Sequence, residues 1–153
     1  NVLAQQTWFA PYDYVDDPQN NKRNMDQWDG YPVQRQRIID ALAQDVSNPV
    51  ILSGDWHCAA AMMVHKDPDN PATEPVARNF AATSISSICS WYGRIDQARD
   101  ANPHAKYVNG QDRGYLRCIA GERDWTTVFR TVADAASPDS PVGTATEIAL
   151  KDM

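Results

Sequence analysis

The sequence predicts a mixed α/β (α+β) fold, and three observations support this prediction. Apolar residues recur at helical spacing over Val33–Val46, and a short β-branched run, Val50–Leu52, follows directly. This helix-to-strand step is typical of α/β layering, although it leaves open whether the sheet is parallel. Val76–Ile85 is a further β candidate that ends in the hydroxyl-rich TSISS. Tyr115–Ile119 and Trp125–Val132 alternate like half-buried strands around the turn-like GERD, which predicts a hairpin.

The first third of the chain predicts a strand, a long loop and a helix. We expect Val2–Phe9 to form an opening strand, followed by a loop over residues 11–32 that is dense in Asp, Asn, Pro and aromatic residues. A loop of this length inside a compact domain is usually functional or mobile. Pro32 suits a first helical turn, because the N–H that it lacks would have no partner there. The helix should therefore start near Pro32 and bury Ile39 and Leu42.

The remaining segments are less distinctive. CAAAMMV, residues 58–64, fits either helix or strand by composition, and we predict a strand because the run is short and Asp67–Pro68 follows it. SWYGRIDQARDANPH, residues 90–104, should be irregular or briefly helical. The last segment, from Ala135 onward, is rich in Pro, Ser and Ala, so residues 133–153 are predicted to wrap the surface as a tail.

Composition narrows the classes of protein. The 153 residues and 17.1 kDa suit one domain. Fourteen basic and twenty acidic residues give a net charge of −6, and they are interspersed, which argues against nucleic acid as a partner. No apolar run approaches the ~20 residues of a membrane span. The three cysteines lie far apart without a CxxC pair, which disfavours a zinc ribbon; their odd number leaves at least one without a partner in this chain.

Several catalytic classes lack their local motifs. The chain has no GxGxxG or Walker loop and no GxSxG elbow, so nucleotide binding and serine hydrolase chemistry have no support. SGDWH, after Val50–Leu52, is the strongest candidate site. Gly54 permits a tight turn at the strand end, and Asp55 and His57 would leave one face of an extended backbone. A carboxylate and an imidazole suit iron, manganese or zinc, and calcium less clearly; a purely structural pair is the alternative.

Other polar residues have simpler explanations. His104 follows Pro103 in a loop, where a histidine more often makes a local hydrogen bond than binds a metal. Arg113 precedes a glycine and could contact an anion, although an exposed arginine is usually just solvated. Asp29 lies before the predicted helix and reads best as part of a helix cap packed among aromatic residues.

Four motifs together resemble the PhoD-like phosphatases, a family of alkaline phosphatases and phosphodiesterases with phospholipase D members. They are MDQWDGYPVQRQRII, VILSGDWH, ATSISS and NPHAKYVNGQDRGYLRC, in that order. The resemblance covers about residues 1–132 and implies the C-terminal part of a four-layer metallophosphoesterase fold, with two mixed β-sheets flanked by helices. We therefore expect residues 1–153 to be a fragment or small subunit of a single domain that is not complete alone.

The resemblance also implies a site. By motif match, Asp55 and His57 would bind metal, with iron and calcium as the expected cofactors and manganese or zinc as alternatives. Asp29, Arg113, Asn102 and His104 match motif positions near that site, so they are candidates to contact substrate or to support the metal ligands. The family's earlier motifs, which supply most iron ligands, are absent from this chain.

The expected function follows from this resemblance. We expect phosphoric ester hydrolysis by a secreted enzyme. This chain would form that enzyme together with a larger N-terminal chain. A phosphodiesterase of the phospholipase D type comes first, because the bulky ICSWY after TSISS suits a large or lipid-like diester. An alkaline phosphomonoesterase is the close alternative. A non-catalytic β-rich binding or structural subunit is the alternative from another class.

Overall fold

Two β-sheets form the framework of the computed structural model, which describes residues 1–14 and 22–153. The first sheet has five strands in the order β1-β2-β4-β3-β5. Their bounds are β1 Val2–Ala4, β2 Val50–Ser53, β3 Ala59–His65, β4 Pro75–Ala81 and β5 Ala105–Asn109. Strands β1, β2 and β4 run parallel, whereas β3 pairs antiparallel with both β4 and β5. The sheet is therefore mixed, and the segment CAAAMMV is a strand, as predicted.

The second sheet is antiparallel, in the order β6-β7-β8. Its strands are β6 Arg113–Ala120, β7 Trp125–Val132 and β8 Val142–Ala149. The predicted hairpin is confirmed, and the Gly121 N–H closes its turn on the Asp124 carbonyl at 3.0 Å. Strand β8, which pairs with β7, was not predicted from the sequence and occupies much of the segment 133–153.

Two α-helices accompany the sheets in the described part of the chain. The predicted helix is confirmed as α1 Pro32–Asp45, with Pro32 in its first turn and Ile39 fully buried against the first sheet. The shorter α2 Tyr92–Gln97 matches the expected brief helix. Single 3₁₀ turns occur at Trp28–Gly30, Arg99–Ala101 and Leu150–Asp152. None of the helices in the described ranges is long and apolar enough to cross a membrane.

The first sheet is covered on both faces. Alternate residues of its strands, such as Val50 and Ala61, face a cluster that includes Phe129 of the second sheet. Their neighbours, Ile51 and Met62, face the other cluster, together with α1 and the buried segment around residues 8–14. The molecule is thus layered as helix and loop, mixed sheet, and antiparallel sheet, which is an α/β arrangement.

Two predicted strands are shorter than expected. The opening strand stops at Ala4, although the Gln5 N–H still bonds to the Leu52 carbonyl at 3.0 Å. At the predicted end of the strand the backbone donors bond to a side chain: the Asn79 amide oxygen accepts from Phe9 N at 2.9 Å and Ala10 N at 3.4 Å. Strand β4 stops at Ala81, and the last bond to β2 runs from the Ala82 N–H to the Ser53 carbonyl at 2.9 Å. The predicted loop over residues 11–32 lies partly outside the described residues, at positions 15–21; its described part contains buried Tyr12 and the 3₁₀ turn.

Candidate functional site

The SGDWH segment forms a sharply turned loop at the carboxyl end of β2, between β2 and β3. The Trp56 N–H bonds to the Gly54 carbonyl at 2.7 Å, which closes a three-residue turn around Asp55. Asp55 has φ 63° and His57 has φ 53°, so both lie in the left-handed region that non-glycine residues rarely adopt. Such backbone strain is concentrated at functional sites.

The backbone through Asp55 and His57 is not extended, so the condition under which both side chains would leave one face is not met. Strand β2 ends at Ser53 and β3 begins only at Ala59, so the alternation of a strand does not determine how the two side chains lie. The turn instead leaves the Asp55 carboxylate exposed, and no described residue donates a hydrogen bond to it. The loop therefore presents this carboxylate to solvent at the end of a parallel strand, where α/β sheets place their sites.

The His57 ring is oriented by a backbone carbonyl. Its Nδ1 lies 3.1 Å from the Ile88 carbonyl oxygen. Because a carbonyl can only accept, Nδ1 carries a proton, and in the neutral ring this leaves the Nε2 lone pair for a ligand. Trp91 stacks on the imidazole with ring centroids 5.6 Å apart, and the Thr83 hydroxyl lies 3.1 Å from the His57 carbonyl. Metal-binding histidines commonly have this second hydrogen bond.

Arg113 supports the segment that supplies this carbonyl. The arginine is buried, and its Nη1 donates to Ser84 Oγ at 2.9 Å and to the Ser87 carbonyl, while Nη2 donates to the Gly110 carbonyl. The Gly114 N–H also bonds to the Ser84 carbonyl at 3.0 Å. The hydrogen bonds of Arg113 therefore hold the segment before Ile88 in place. Its guanidinium donates to protein atoms and not to solvent alone.

Asp29 lies in a buried ion pair. Its carboxylate is 2.6 Å from Arg35 Nη1, and both side chains are only 3% exposed. Arg23 Nη1 lies 3.8 Å from the same oxygen. Burial raises the pKa of the Asp29 carboxyl, and the Arg35 guanidinium opposes that rise. The predicted helix cap is wrong for Asp29, because Tyr31 is the N-cap residue of α1 and no side chain bonds to the helix start. The Asp29 carboxylate instead pairs with the Arg35 guanidinium of this helix.

Asn102 and His104 hold the buried segment 11–13. The Asn102 side chain accepts from Asp13 N and donates to the Asp13 carbonyl, each at 2.8 Å. The His104 Nε2 lies 2.7 Å from the Pro11 carbonyl and therefore donates to it. Burial lowers the pKa of His104, which favours the neutral ring. The polar side-chain atoms of Asn102 and His104 thus bond to the backbone of Asp13 and Pro11. These bonds hold the segment that leads directly into Tyr14.

Beside the loop lies a pocket that was not predicted from the sequence. We call it the aromatic pocket; Tyr14, Trp56, Trp91, Arg23 and Arg94 line it, and its volume is about 480 Å³. The Trp56 and Trp91 rings lie 5.0 Å apart. Trp56 belongs to SGDWH and Trp91 to the bulky segment after TSISS. The contact between the two rings could not be predicted from the sequence, because the two segments are brought together only by the fold. The sequence signal was only the unusual aromatic content of both loops.

The donors of the loop fit a metal ion. A carboxylate oxygen from Asp55 and an imidazole nitrogen from His57 form the kind of mixed donor set that iron, manganese and zinc accept. The Ile88 hydrogen bond fixes the tautomer that such binding needs. Within residues 1–14 and 22–153, no group of three or more His, Cys, Asp or Glu side chains is placed to hold a metal. The loop thus offers two ligands.

Comparisons with known proteins identify the family. A family model for PhoD-like phosphatases matches residues 1–129. Alkaline phosphatase D of Bacillus subtilis (strain 168) is 32% identical over 148 residues, which cover 94% of this chain and 25% of that protein. The solved structure of PhoD matches with a TM-score of 0.83 at 30% identity, covering 97% of this chain and 29% of the other. The chain spans between a quarter and a third of these proteins, and it belongs to the PhoD-like phosphatase family.

Proposed function

We propose that this chain contributes a metal-binding loop to a phosphoric ester hydrolase that prefers phosphodiesters, including phospholipids cleaved in the manner of phospholipase D. The observation that supports this proposal best is the His57 ring, whose Nδ1 is engaged by Ile88 and whose Nε2 is left for a ligand. The family supports the reaction class, since the matching family model describes PhoD-like phosphatases and the Bacillus subtilis relative is named alkaline phosphatase D. Phosphomonoester hydrolysis is the second candidate, because alkaline phosphatase D is named for it.

Asp55 and His57 would hold the metal, with iron and calcium as the cofactors that the family resemblance implies. Bound metals would polarise the phosphoryl oxygens and stabilise the charge that builds up on them during displacement. The chain's own residues orient that site. The Ile88 carbonyl keeps the proton on Nδ1, and Trp91 covers one face of the imidazole, which restricts its rotation and its contact with water.

The remaining ligands would come from the N-terminal part of the enzyme, which we propose as the partner of this chain. The expected location is extracellular. The alternative from another class is a non-catalytic binding subunit that has lost the metal site. Measured metal content distinguishes the two, because only the enzyme should bind metal at this loop.

The test is His57→Ala in the full-length, metal-loaded enzyme. Loss of the imidazole ligand should lower the bound metal by about 10-fold or more at limiting concentration and reduce diester hydrolysis in parallel. Elemental analysis measures the first quantity, and initial rates with bis(p-nitrophenyl) phosphate the second. His65→Gln is the matched control, because His65 lies at the other end of β3 and its ring bonds to the Thr73 carbonyl. Unchanged metal content and rate in His57→Ala would contradict the proposal.

The same preparation separates the two substrate classes. The wild-type enzyme should hydrolyse bis(p-nitrophenyl) phosphate with a higher kcat/KM than p-nitrophenyl phosphate, because the aromatic pocket offers room for a second substituent. The opposite preference would favour the monoesterase.

A further inference from the structure

We propose that Cys58 and Cys89 form a disulfide when the enzyme folds in oxidising surroundings, and that this cross-link joins the SGDWH loop to the segment that orients His57. The oxidant would be another disulfide, either of a protein or of a small molecule such as glutathione. The cross-link itself does not depend on the proposed function. Its expected effect on metal binding does rest on that function.

The two cysteines follow directly after two residues that contact each other. Cys58 comes after His57, and Cys89 comes after Ile88. The His57 Nδ1 lies 3.1 Å from the Ile88 carbonyl oxygen, so the two segments meet at this point. The Cys58 thiol donates a hydrogen bond to the Cys89 sulfur. The two sulfur atoms are therefore neighbours, and rotation of the side chains can bring them to bonding distance.

Hydrogen bonds hold the backbones of both cysteines. The Cys58 carbonyl accepts from Trp8 Nε1 at 3.3 Å, and the Cys89 carbonyl accepts from Tyr92 N, at the start of helix α2, at 3.2 Å. Both side chains belong to the same buried cluster, in which Cys58 is fully buried and Cys89 is 8% exposed. Groups held side by side react as if their local concentration were high, which favours a disulfide between them.

The third cysteine lies elsewhere in the fold. Cys118 is on strand β6, packs against the other hydrophobic cluster and is hydrogen-bonded by the Thr127 side chain. The fold thus selects one pair among the three cysteines, a choice that the sequence left open. A shared metal is a weaker explanation for this pair, because within residues 1–14 and 22–153 no third His, Cys, Asp or Glu joins the two thiols in a metal-binding group.

The cross-link would form by thiol–disulfide exchange, which is a two-electron oxidation. One cysteine sulfur attacks the oxidant, releases the first of its two thiols and leaves a mixed disulfide. The second cysteine then attacks this mixed disulfide, forms the new S–S bond and releases the other thiol. The two electrons and the two thiol protons of the cysteines end on the released thiols. Because both cysteines are buried in the folded chain, the exchange belongs to folding, before the core closes.

The bond would strengthen a contact that the proposed metal loop depends on. The loop and the segment around Ile88 meet through the His57 hydrogen bond and through the stacking of Trp91 on the imidazole. A disulfide between residues 58 and 89 adds a covalent link beside these contacts, and it also restricts the unfolded chain. We therefore expect the oxidised enzyme to be more stable than the reduced enzyme and to release metal more slowly.

The first test is a peptide map of the full-length enzyme after export to the bacterial periplasm, which is an oxidising compartment. Free thiols are alkylated in denaturant before digestion. Trypsin should place the three cysteines in different peptides, which are residues 38–66, 79–94 and 118–123. We expect the first two peptides to be joined by a disulfide and to separate after reduction. Alkylation of Cys58 and Cys89, or a disulfide from either one to another cysteine, would overturn the inference.

The second test distinguishes a cross-link from ordinary packing. The melting temperature of the full-length enzyme is measured with and without a phosphine reductant. Reduction should lower the melting temperature of the wild type by about 3–8 °C more than that of Cys89→Ser, which has no cross-link to lose. Cys118→Ser is the matched control and should respond to the reductant as the wild type does. Equal responses of the wild type and Cys89→Ser would contradict the stabilising cross-link.

Failure of the cross-link and failure of the proposed function give different results. If the two peptides are joined but the enzyme binds no metal, the function is wrong and the cross-link stands. If the enzyme binds metal and hydrolyses diesters while the peptides are separate, the function stands and the cross-link is wrong. If both are right, a chelator should remove metal about threefold to tenfold faster from Cys89→Ser than from Cys118→Ser.

Discussion

At the scale of single residues, His57 depends on atoms far from it in the sequence. The Ile88 carbonyl fixes its tautomer, and Trp91 stacks on its ring. Sequence reasoning would assign neither residue to a metal site. Ile88 acts through its backbone carbonyl, which every residue has, and the Trp91 indole is not a metal ligand. The segment that contains both is in turn fixed by Arg113, whose donors reach Ser84 and Ser87.

Arg113→Lys should weaken metal binding without removing any ligand. Lysine keeps the charge but lacks the planar fork that spans Ser84, Ser87 and Gly110, so the segment before Ile88 loses its fixed position. We expect metal affinity to fall by about 10-fold to 100-fold, as is usual for partners of metal ligands. Competition with a chelator measures this affinity.

Arg117→Lys is the control for this prediction, because Arg117 is an exposed residue of the same strand, β6. If Arg113→Lys lowered only the melting temperature and left metal affinity unchanged, Arg113 would support the fold and not the site.

At the scale of secondary structure elements, Asn79 of β4 joins three segments. Its side chain is fully buried, accepts from Phe9 N and Ala10 N, and donates to the Ile51 carbonyl and to Ser53 Oγ. It therefore connects β2, at the strand end that leads into SGDWH, with the buried segment that carries Tyr12 and Tyr14. The aromatic pocket and the loop at the end of β2 are held in one framework by this amide.

Asn79→Ala should destabilise the fold by about 2–4 kcal/mol, because two backbone N–H groups would remain buried without an acceptor. Denaturant unfolding of the full-length enzyme, followed by the fluorescence of its tryptophans, measures the change. Asn70→Ala is the matched control: Asn70 is exposed, and its side chain bonds only to the nearby Ala72 N–H. An equal, small effect of both substitutions would show that the Asn79 hydrogen bonds are not essential.

At the scale of the whole molecule, the five-stranded sheet has an open edge. Strand β1 is the outermost strand in the described residues, and its Val2 side chain is 52% exposed. Tyr31 and Val33, at the start of helix α1, are also largely exposed. Unpaired strand edges and exposed apolar residues favour association with further chain. The chain also spans only 25% of alkaline phosphatase D.

We therefore expect the natural enzyme to contain more than this sequence. Intact-mass measurement of the active preparation should show either a larger polypeptide that includes residues 1–153 or a second, larger chain bound to them. A preparation that consists of these residues alone and has full metal content and diester activity would contradict the proposed partner.

The sequence determined the elements that short-range patterns encode. Helix α1 follows from the spacing of Ile39 and Leu42 and from Pro32, and the β6–β7 hairpin follows from alternation around a turn. The family motifs predicted a PhoD-like protein, which the comparisons confirm. Strand β8 was not predicted because its residues are mostly exposed and small, so the alternation of apolar and polar residues that marks a strand is weak there. The assignment of Asp55 and His57 to a metal remains a prediction.

Only the tertiary structure decided how the candidate site is built. From the sequence, Asp55 and His57 would share a face only if the backbone stayed extended, whereas both residues adopt left-handed conformations after β2 ends. The aromatic pocket exists because residues 14, 56 and 91, from three separate loops, meet beside His57. Such meetings depend on long-range packing and on side chains such as Asn79 and Arg113 that hydrogen-bond to distant backbone. Local sequence fixes the chemistry of each residue, but these contacts fix which residues act together.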